Sequence, residues 1–423
     1  MSSRAGVVVT GTEVLTGRVR DRNGPWLAEQ LRVAGVDIAH VLVVGDRLDD
    51  LRQALEFLAG TGVDLIVTSG GLGPTADDLT AEIVGDFQGR PSHVDAALEA
   101  RIAAIVERLM RGRGWRVDPA ATHAATRKQA LVPEGATVLE PIGTAPGLVV
   151  PPAEGRSGPP VVVLPGPPRE LQPMWPAALA TPLVRTALAG ADEVRQRTLR
   201  LWGTPESELA AMLREHADTL DGLEITTCLR DGELEIVTRF APTAQAVYDD
   251  FAATVVAAYP DTFFSAGPTI DEVVAGGLLD RGLTIATAES CTGGLLAGRL
   301  TERAGSSTYV LGGVVAYANS AKEQLVGVSG ELIERLGAVS AEVAVALATG
   351  ARERFGADVG VGITGVAGPG GGTAEKPVGL VHLCASTATS AVAREVRLPG
   401  SREDVRTRAV VLALHMVREL LGR

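Results

Sequence analysis

The chain has 423 residues, room for two or three domains at about 150 residues each. Apolar residues make up 46% and charged residues 21%, which excludes a disordered chain, and aromatics at 4% leave the cores to Val, Leu, Ala and Ile. A formal net charge of -12 argues against broad binding to a phosphate backbone, although an anionic small molecule can still dock on glycine loops and helix N-termini.

Residues 1–175 alternate short β-branched runs with helical stretches. Gly6–Thr10, Val41–Val44 and Leu65–Thr68 read as strands, with helices over Asn23–Ala34 and Leu48–Ala59. Gly147–Val150 and Val161–Leu164 are further strands, joined as a hairpin by the PPAEGRSGPP loop at 151–160. Strands alternating with helices predict βαβ units and a mainly parallel sheet.

Residues 176–265 read as a small α+β module with no polar cluster that looks catalytic. It has a helix over Glu206–Glu215, a hairpin of Leu223–Thr227 and Leu234–Phe240 around Arg230-Asp231-Gly232, and a helix over Thr243–Ala258. Residues 266–423 return to alternation. Strands are predicted at Leu283–Ala288, Val310–Tyr317, Val359–Thr364, Gly379–Ala385 and Ala393–Leu398, and helices at Thr292–Thr301, Ala341–Phe355 and Arg402–Leu421. The expected fold class is α/β: two three-layer αβα domains with mainly parallel sheets, 1–175 and 266–423, joined by the module at 176–265.

Cys228, Cys291 and Cys384 are odd in number and far apart, so they build neither a disulfide framework nor a CxxC site. The six histidines contain no HExxH, and no apolar run reaches the roughly 20 residues of a membrane helix. The strand-like VVVT begins within a few residues of Met1, leaving no room for a signal peptide. The expectation is a soluble, reduced, cytoplasmic protein that binds neither nucleic acid nor membrane.

Only Lys128, Lys322 and Lys376 of the 39 basic residues are lysine, and each falls in a Gly-, Pro- or Ser-rich stretch. Coding bias accounts for the scarcity but not for the positions. Arginine stays charged, whereas a desolvated lysine can lose its proton and act as a base.

Ser290 sits where the strand LTIATAES turns into CTGGLLAGRL. It can be a helix N-cap, or a nucleophile whose oxyanion meets helix amides such as those of Cys291 and Thr292, with Gly293 in the same turn. Lys322, at the start of a helix after Tyr317-Ala318-Asn319-Ser320, can serve as its neutral base. Thr364 ends a strand and opens GVAGPGGG, where Gly365 and Gly368 let backbone amides approach a phosphate or carbonyl.

The strings TAESCTGGLLAGRLT, GSSTYVLGGVVAYANSAKEQLVGV, GAVSAEVA and GITGVAGPGGGTAEKPVG resemble the C-terminal domain of the CinA (competence/damage-inducible) family over 268–423. That domain is similar to nicotinamide mononucleotide amidases, which hydrolyse the carboxamide to the acid and ammonia without a cofactor. The resemblance implies that Ser290 is the nucleophile, Lys322 its base, and Tyr317 and Thr364 assistants to the serine or the substrate. It implies a phosphate-side contact from Arg402 or Arg406; Lys376, from its place in a glycine-rich loop, is expected to stay charged near the ligand. Ala318-Asn319-Ser320 stands where relatives usually carry Ser-Asn-Glu, a lost acid that spares the Ser-Lys pair.

In the N-terminal segment, Thr10, Gly11, Glu13 and Asn23 follow the first strand, Asp46 the second, and Gly70, Gly71, Gly73, Thr75, Asp77 and Asp78 the third. Gly166 and Glu170 follow another strand in VLPGPPRELQPMW. Glycines suit a phosphate, and carboxylates beside it call for a hard divalent cation such as Mg²⁺ held by Glu13, Asp77 and Asp78; alternatively Asp77 and Asp78 cap a helix. GGLGPTADDLT and LPGPPRE resemble the molybdopterin-binding (molybdenum-cofactor-biosynthesis) domain in its CinA version over about 1–175. That resemblance implies a metal-dependent ADP-ribose pyrophosphatase, with Asp46 and Asp78 at the acidic positions and Lys128 and the Gly143–Gly147 loop near the pyrophosphate. The middle segment, with LRLWGTPESELA, is similar to the family's KH-like module, and lacks the GxxG loop of an RNA binder.

Three readings stand at this level: a bifunctional hydrolase of nucleotide substrates, a molybdopterin-binding or carrier protein, and a competence-linked regulator that only senses nucleotides. Both family domains tend to self-associate, which makes a homodimer the expected assembly.

Overall fold

Alternate side chains along the first strand enter two different helix layers, and this alternation organises the N-terminal body. The computed structural model describes residues 3–113, 118–191 and 193–422. In chain order come β1 (Arg4–Thr10), α1 (Thr12–Leu15), α2 (Asn23–Val33), β2 (Asp37–Val44), α3 (Leu48–Gly60), β3 (Leu65–Ser69) and α4 (Thr80–Gln88). Next are β4 (Ser92–Val94), α5 (Ala96–Arg113), α6 (Pro119–Gln129), β5 (Leu131–Pro133), β6 (Thr137–Leu139), β7 (Gly147–Val150), β8 (Val161–Leu164), α7 (Pro168–Ala180) and α8 (Pro182–Ala187). The sheet order is β2-β1-β3-β8-β7-β6; the first four strands are parallel and the last two antiparallel, while β4 and β5 pair separately.

Val7 and Val9 pack with Leu27, Leu31 and Trp175 on one face, and Val8 packs with Leu51, Leu55 and Leu58 on the other. The period-two alternation of a strand places both sets in cores. β2 is longer than its apolar run predicts, because Asp37 and His40 lie on an edge strand whose N-terminal half is only partly buried.

The chain divides into compact units at Arg195, not at 175. Residues beyond 175 stay with the first unit because Val184 joins its core and the Ser3 amide bonds the Gly190 carbonyl.

The second unit opens with β9 (Arg195–Trp202), α9 (Glu206–Glu215), β10 (Leu223–Arg230), β11 (Glu233–Phe240), α10 (Gln245–Ala258) and β12 (Phe263–Ala266), a sheet in the order β10-β11-β9-β12. The hairpin turn carries positive φ at Asp231 (52°) and Gly232 (91°), as a two-residue primed turn requires. β9 and β12 were illegible in sequence: RQRTLRLW is interrupted by cations, and FFSA is four residues long.

The unit continues with α11 (Ile270–Arg281), β13 (Ile285–Glu289), α12 (Leu295–Thr301), β14 (Val310–Val315), α13 (Asn319–Val326), α14 (Gly330–Leu336), α15 (Ala341–Phe355), β15 (Val359–Gly365), β16 (Leu380–Ser386), β17 (Ala391–Arg397) and α16 (Arg402–Gly422). The order is β14-β13-β15-β16-β17. β14, β13 and β15 are parallel but β16 and β17 are antiparallel, so this sheet is only half parallel; a tight turn joins its last two strands, with no crossover helix. α11, α12 and α16 cover one face, and α13, α14 and α15 the other. α15 lies close on β15 because Gly360 and Gly362 have no Cβ: one would stand 2.0 Å from the Ala348 carbonyl and 2.2 Å from that of Ala344, respectively. Among the described residues no helix is long and apolar enough to cross a membrane.

Candidate active sites

Three neighbouring parallel strands of the C-terminal sheet end level with one another. Glu289 on β13 pairs with Val315 on β14 and Ile363 on β15. The next residues are therefore Ser290, Ala316 and Thr364, tied by Ser290 N–H to the Ile363 carbonyl (2.9 Å) and Ala316 N–H to the Glu289 carbonyl (2.8 Å). This is the carboxyl edge, where open α/β sheets place ligands.

Ser290 is 9% exposed and is not the cap of the following helix. α12 starts at Leu295, three residues later than expected, with Gly294 at its N-cap. Between strand and helix the chain turns through Gly293 (φ 61°) and Gly294 (φ 93°), a conformation that suits glycine. The helix amides are claimed by Glu289, whose fully buried carboxylate accepts from Gly294 N–H (3.1 Å), Leu296 N–H (3.0 Å) and Ala297 N–H (2.8 Å). The amides of Cys291 and Thr292, expected to serve an oxyanion, act to lower the pKa of the Cys291 thiol. Burial nevertheless pushes that thiol up to about 11, which leaves it protonated and a poor nucleophile.

Arg406 braces the same turn from outside. Its Nε donates to the Cys291 carbonyl at 3.1 Å and its Nη2 to the Thr292 carbonyl at 2.8 Å. Arg402 takes a different place: Nη1 donates to the Gly368 carbonyl (2.7 Å) and Nη2 to the Tyr317 hydroxyl (3.1 Å). Of the two arginines expected at a phosphate, Arg402 is the one beside the exposed Tyr317 and the glycine loop.

Lys322 lies in α13 and is 1% exposed. Desolvation holds its ammonium below the ordinary lysine pKa, with a smaller opposite influence from Cys291, the neighbour of Ser290. Its Nζ donates to the Tyr317 carbonyl at 2.9 Å. Thr364 lies at the same strand-end edge, with its hydroxyl donating to the Ala338 carbonyl at 2.7 Å. Gly365 and Gly368 are needed for packing: a Cβ would stand 2.7 Å from the Leu380 carbonyl and 2.6 Å from Val378, respectively. Lys376 reaches the Leu336 carbonyl at the end of α14. It therefore ties two loops together, where a ligand contact was expected.

In the N-terminal body the glycine loop after β3 lies against β1 and α4. A Cβ on Gly70 would be 2.5 Å from Thr10 Oγ1, one on Gly71 2.0 Å from Thr80 Oγ1, and one on Gly73 2.4 Å from Asp78 Oδ2. Asp78 is turned into this loop, accepting from Thr75 N–H (2.9 Å) and Thr75 Oγ1 (2.5 Å). Lys128 bonds the Thr75 carbonyl, so the loop is held from both sides. Asp46 accepts from the Thr12 amide at 2.7 Å, just past Gly11, and fixes the turn after β1. Asn23, the first residue of α2, donates to Ser69 Oγ (2.8 Å) and to the Gly166 carbonyl (2.6 Å), joining the ends of β3 and β8.

The three residues expected to hold Mg²⁺ are not gathered. Glu13 lines a cleft of about 580 Å³ with Thr10, Asn23 and Gly166, whereas Asp77 lines a separate small pocket with Thr10 and Asp46. Among the described residues no three His, Cys, Asp or Glu side chains form a group able to hold a metal. The reason is local, because Asp78 spends its carboxylate on Thr75. Asp77 stays ionised, its carboxyl held below the usual carboxylate range chiefly by the neighbouring Thr75 side chain. A Mg²⁺ arriving with substrate phosphates needs only one or two carboxylates, and Asp77 fits that lesser demand.

Sequence reasoning missed Glu289, Arg406 as a brace, and Gln129, whose Nε2 donates to the Leu72 carbonyl at 3.0 Å and to Thr144 Oγ1 at 3.4 Å. The signal for Glu289 was an acid ending an apolar strand directly before the serine.

Fold and sites together define an α/β protein with one strand-end site in each of two bodies. The family description "CinA C-terminal domain" matches residues 268–421, and "Probable molybdopterin binding domain" matches 6–186. A CinA-like protein of Mycolicibacterium vanbaalenii is 58% identical across 100% of this chain and 99% of its own, and one of Mycobacterium tuberculosis is 53% identical across 100% and 98%. The chain belongs to the CinA-like protein family. Among solved structures, the competence/damage inducible protein CihA from Agrobacterium tumefaciens is 44% identical, with a TM-score of 0.35 over 38% of this chain and 100% of that one.

Proposed function

We propose that the C-terminal domain is a Ser-Lys amidase acting on nicotinamide mononucleotide. The observation that carries this reading is the burial of Lys322 in the helix that follows β14, one strand over from Ser290, with its ammonium disfavoured by desolvation. A neutral Lys322 amine takes the Ser290 hydroxyl proton as Oγ attacks the carboxamide carbon. The resulting tetrahedral oxyanion collapses, the lysine proton passes to the leaving nitrogen, and ammonia departs. Water then attacks the acyl-serine, with the amine as base, and releases the nicotinate nucleotide. Arg402 meets the phosphate, and no cofactor takes part.

For the N-terminal domain we propose pyrophosphate hydrolysis of ADP-ribose or a related dinucleotide at the strand-end clefts. The glycine loop and the ionised Asp77 support it. Mg²⁺ bound to the substrate, with Asp77 as its protein ligand, would polarise the pyrophosphate. Thr10, Asp46 and the loop position the substrate. We read the four-stranded module as the family's KH-like element, acting structurally, and the working unit as a cytoplasmic homodimer.

The test is a pair of assays on wild type, Ser290→Ala, Lys322→Arg and Asp77→Asn, given nicotinamide mononucleotide or ADP-ribose, with and without chelator. Ser290→Ala and Lys322→Arg abolish ammonia release and spare ADP-ribose cleavage; Asp77→Asn and chelator do the reverse. Full ammonia release by Lys322→Arg would remove the neutral-lysine mechanism. Cleavage unaffected by chelator would remove the metal.

A further inference from the structure

The turn that carries Ser290 is bracketed by two helices, and both face one carboxylate of the four-stranded module. α12 begins just after the turn, and α16 braces it, since Arg406 donates to the Cys291 and Thr292 carbonyls at 3.1 and 2.8 Å. About 14 Å further along α16 lies His415. Its Nε2 stands 2.7 Å from Oε1 of Glu233, the first residue of β11.

Both partners are enclosed, Glu233 at 9% exposure and His415 at 3%. The imidazole stacks on Trp202 of β9 with ring centres 3.9 Å apart, and it meets Phe264 of β12 edge-on at 4.8 Å. Arg418 of the same helix lies over the Phe264 ring at 5.3 Å. A carboxylate only accepts hydrogen bonds, so Nε2 carries the proton, while Nδ1 is buried with no partner. Taking Glu233 away leaves a buried N–H with no acceptor, a cost that α16 relieves only by shifting.

Glu233 bears on the other helix as well. Arg299 of α12 is held charged first by Asp271 of α11, which accepts from its Nε and Nη2 at 2.7 and 2.8 Å. The Glu233 and Asp231 carboxylates add to this, against the effect of burial.

We propose that Glu233 is a positioning residue for the Ser290 turn, acting through His415 and α16, which makes the four-stranded module a working part of the C-terminal site. A continuous helix carries a shift at His415 to Arg406, and so to the two carbonyls that Arg406 holds. The effect on rate rests on the amidase reading; the effect on the turn does not.

Two measurements on the full chain test this. Amide hydrogen exchange over 290–297 reports the turn without ligand or turnover, and ammonia release from nicotinamide mononucleotide reports its use. Glu233→Ala should speed that exchange at least threefold and lower kcat/KM at least fivefold, mainly through kcat. Glu233→Gln, whose amide oxygen still accepts from Nε2, should stay within twofold of wild type in both. Val255→Ala, in the module's own core, should lower the melting temperature yet move neither readout. If Glu233→Ala does not fold, Trp202→Leu, which removes the stacked ring, takes its place with the same expectation. Unchanged exchange over 290–297, faster exchange with full kcat, or a loss shared equally by Val255→Ala overturns the proposal. No ammonia release from the wild type overturns the amidase reading alone, and exchange still decides the role of Glu233.

Discussion

The Nζ of Lys322 donates to the main-chain carbonyl of Tyr317, 2.9 Å away, inside a setting that leaves the lysine 1% exposed. A carbonyl accepts a hydrogen bond without neutralising a charge, so the contact aims the amine while burial still disfavours its protonated form. Lys128 and Lys376 also donate to carbonyls, but each of those contacts ties loops together.

Replacing Lys322 by Arg should lower kcat/KM for amide hydrolysis by at least about 10²-fold, because guanidinium cannot act as a base. In the wild type the rate should climb with pH through a midpoint below the ordinary lysine value, as the neutral amine accumulates. A pH–rate profile with no ionisation below that value would contradict the assignment.

The same burial has a stability consequence. A lysine whose folded pKa is lowered binds fewer protons when folded than when unfolded, so the chain gains stability as pH rises from that lowered pKa toward 10.5. Lys322→Met should raise stability at pH 7 by about 1 kcal/mol and by less near pH 10. Denaturant melts at the two pH values measure the difference.

Glu289 anchors three helix amides. Glu289→Gln places an NH₂ against at least one of them, and the expected loss is about 2–3 kcal/mol. With Ser290 directly adjacent, kcat should drop at least tenfold while KM changes little. A variant that lost stability but kept kcat would show that the anchor does not position the nucleophile.

Gly71→Ala must place its methyl 2.0 Å from Thr80 Oγ1 at a φ of +66°, and about 1–3 kcal/mol of destabilisation is expected. Adding Thr80→Ala should recover part of that loss, the remainder being the backbone cost. Thermal melts of the single and double variants separate the two contributions.

His415 is buried in the second unit, its Nε2 2.7 Å from a Glu233 oxygen and its ring stacked on Trp202 at 3.9 Å. Burial lowers its pKa; the Glu233 bond opposes that and the Arg418 and Arg299 charges add to it. The unfolded chain therefore binds the proton more readily, and stability should fall as pH drops below about 6.5 toward the lowered value. His415→Gln should flatten that fall in a series of melts from pH 7.5 to pH 5.

Local patterning made most elements readable in sequence. The β-branched runs marked both parallel cores, and Glu206–Glu215 and Ala341–Phe355 have the boundaries that their apolar periods predict. The strand ends carrying Ser290, Thr364 and the glycine loop were legible for the same reason, since strands that run parallel deliver their carboxyl ends to one edge. Tertiary structure alone decided how the polar groups there are used. Which carboxylate caps α12, which arginine braces the serine turn, and whether Asp78 faces a metal or Thr75 all depend on atoms brought together from distant parts of the chain. A hydrogen bond is won by whichever donor folding brings within 3 Å, and residue spacing does not encode that distance.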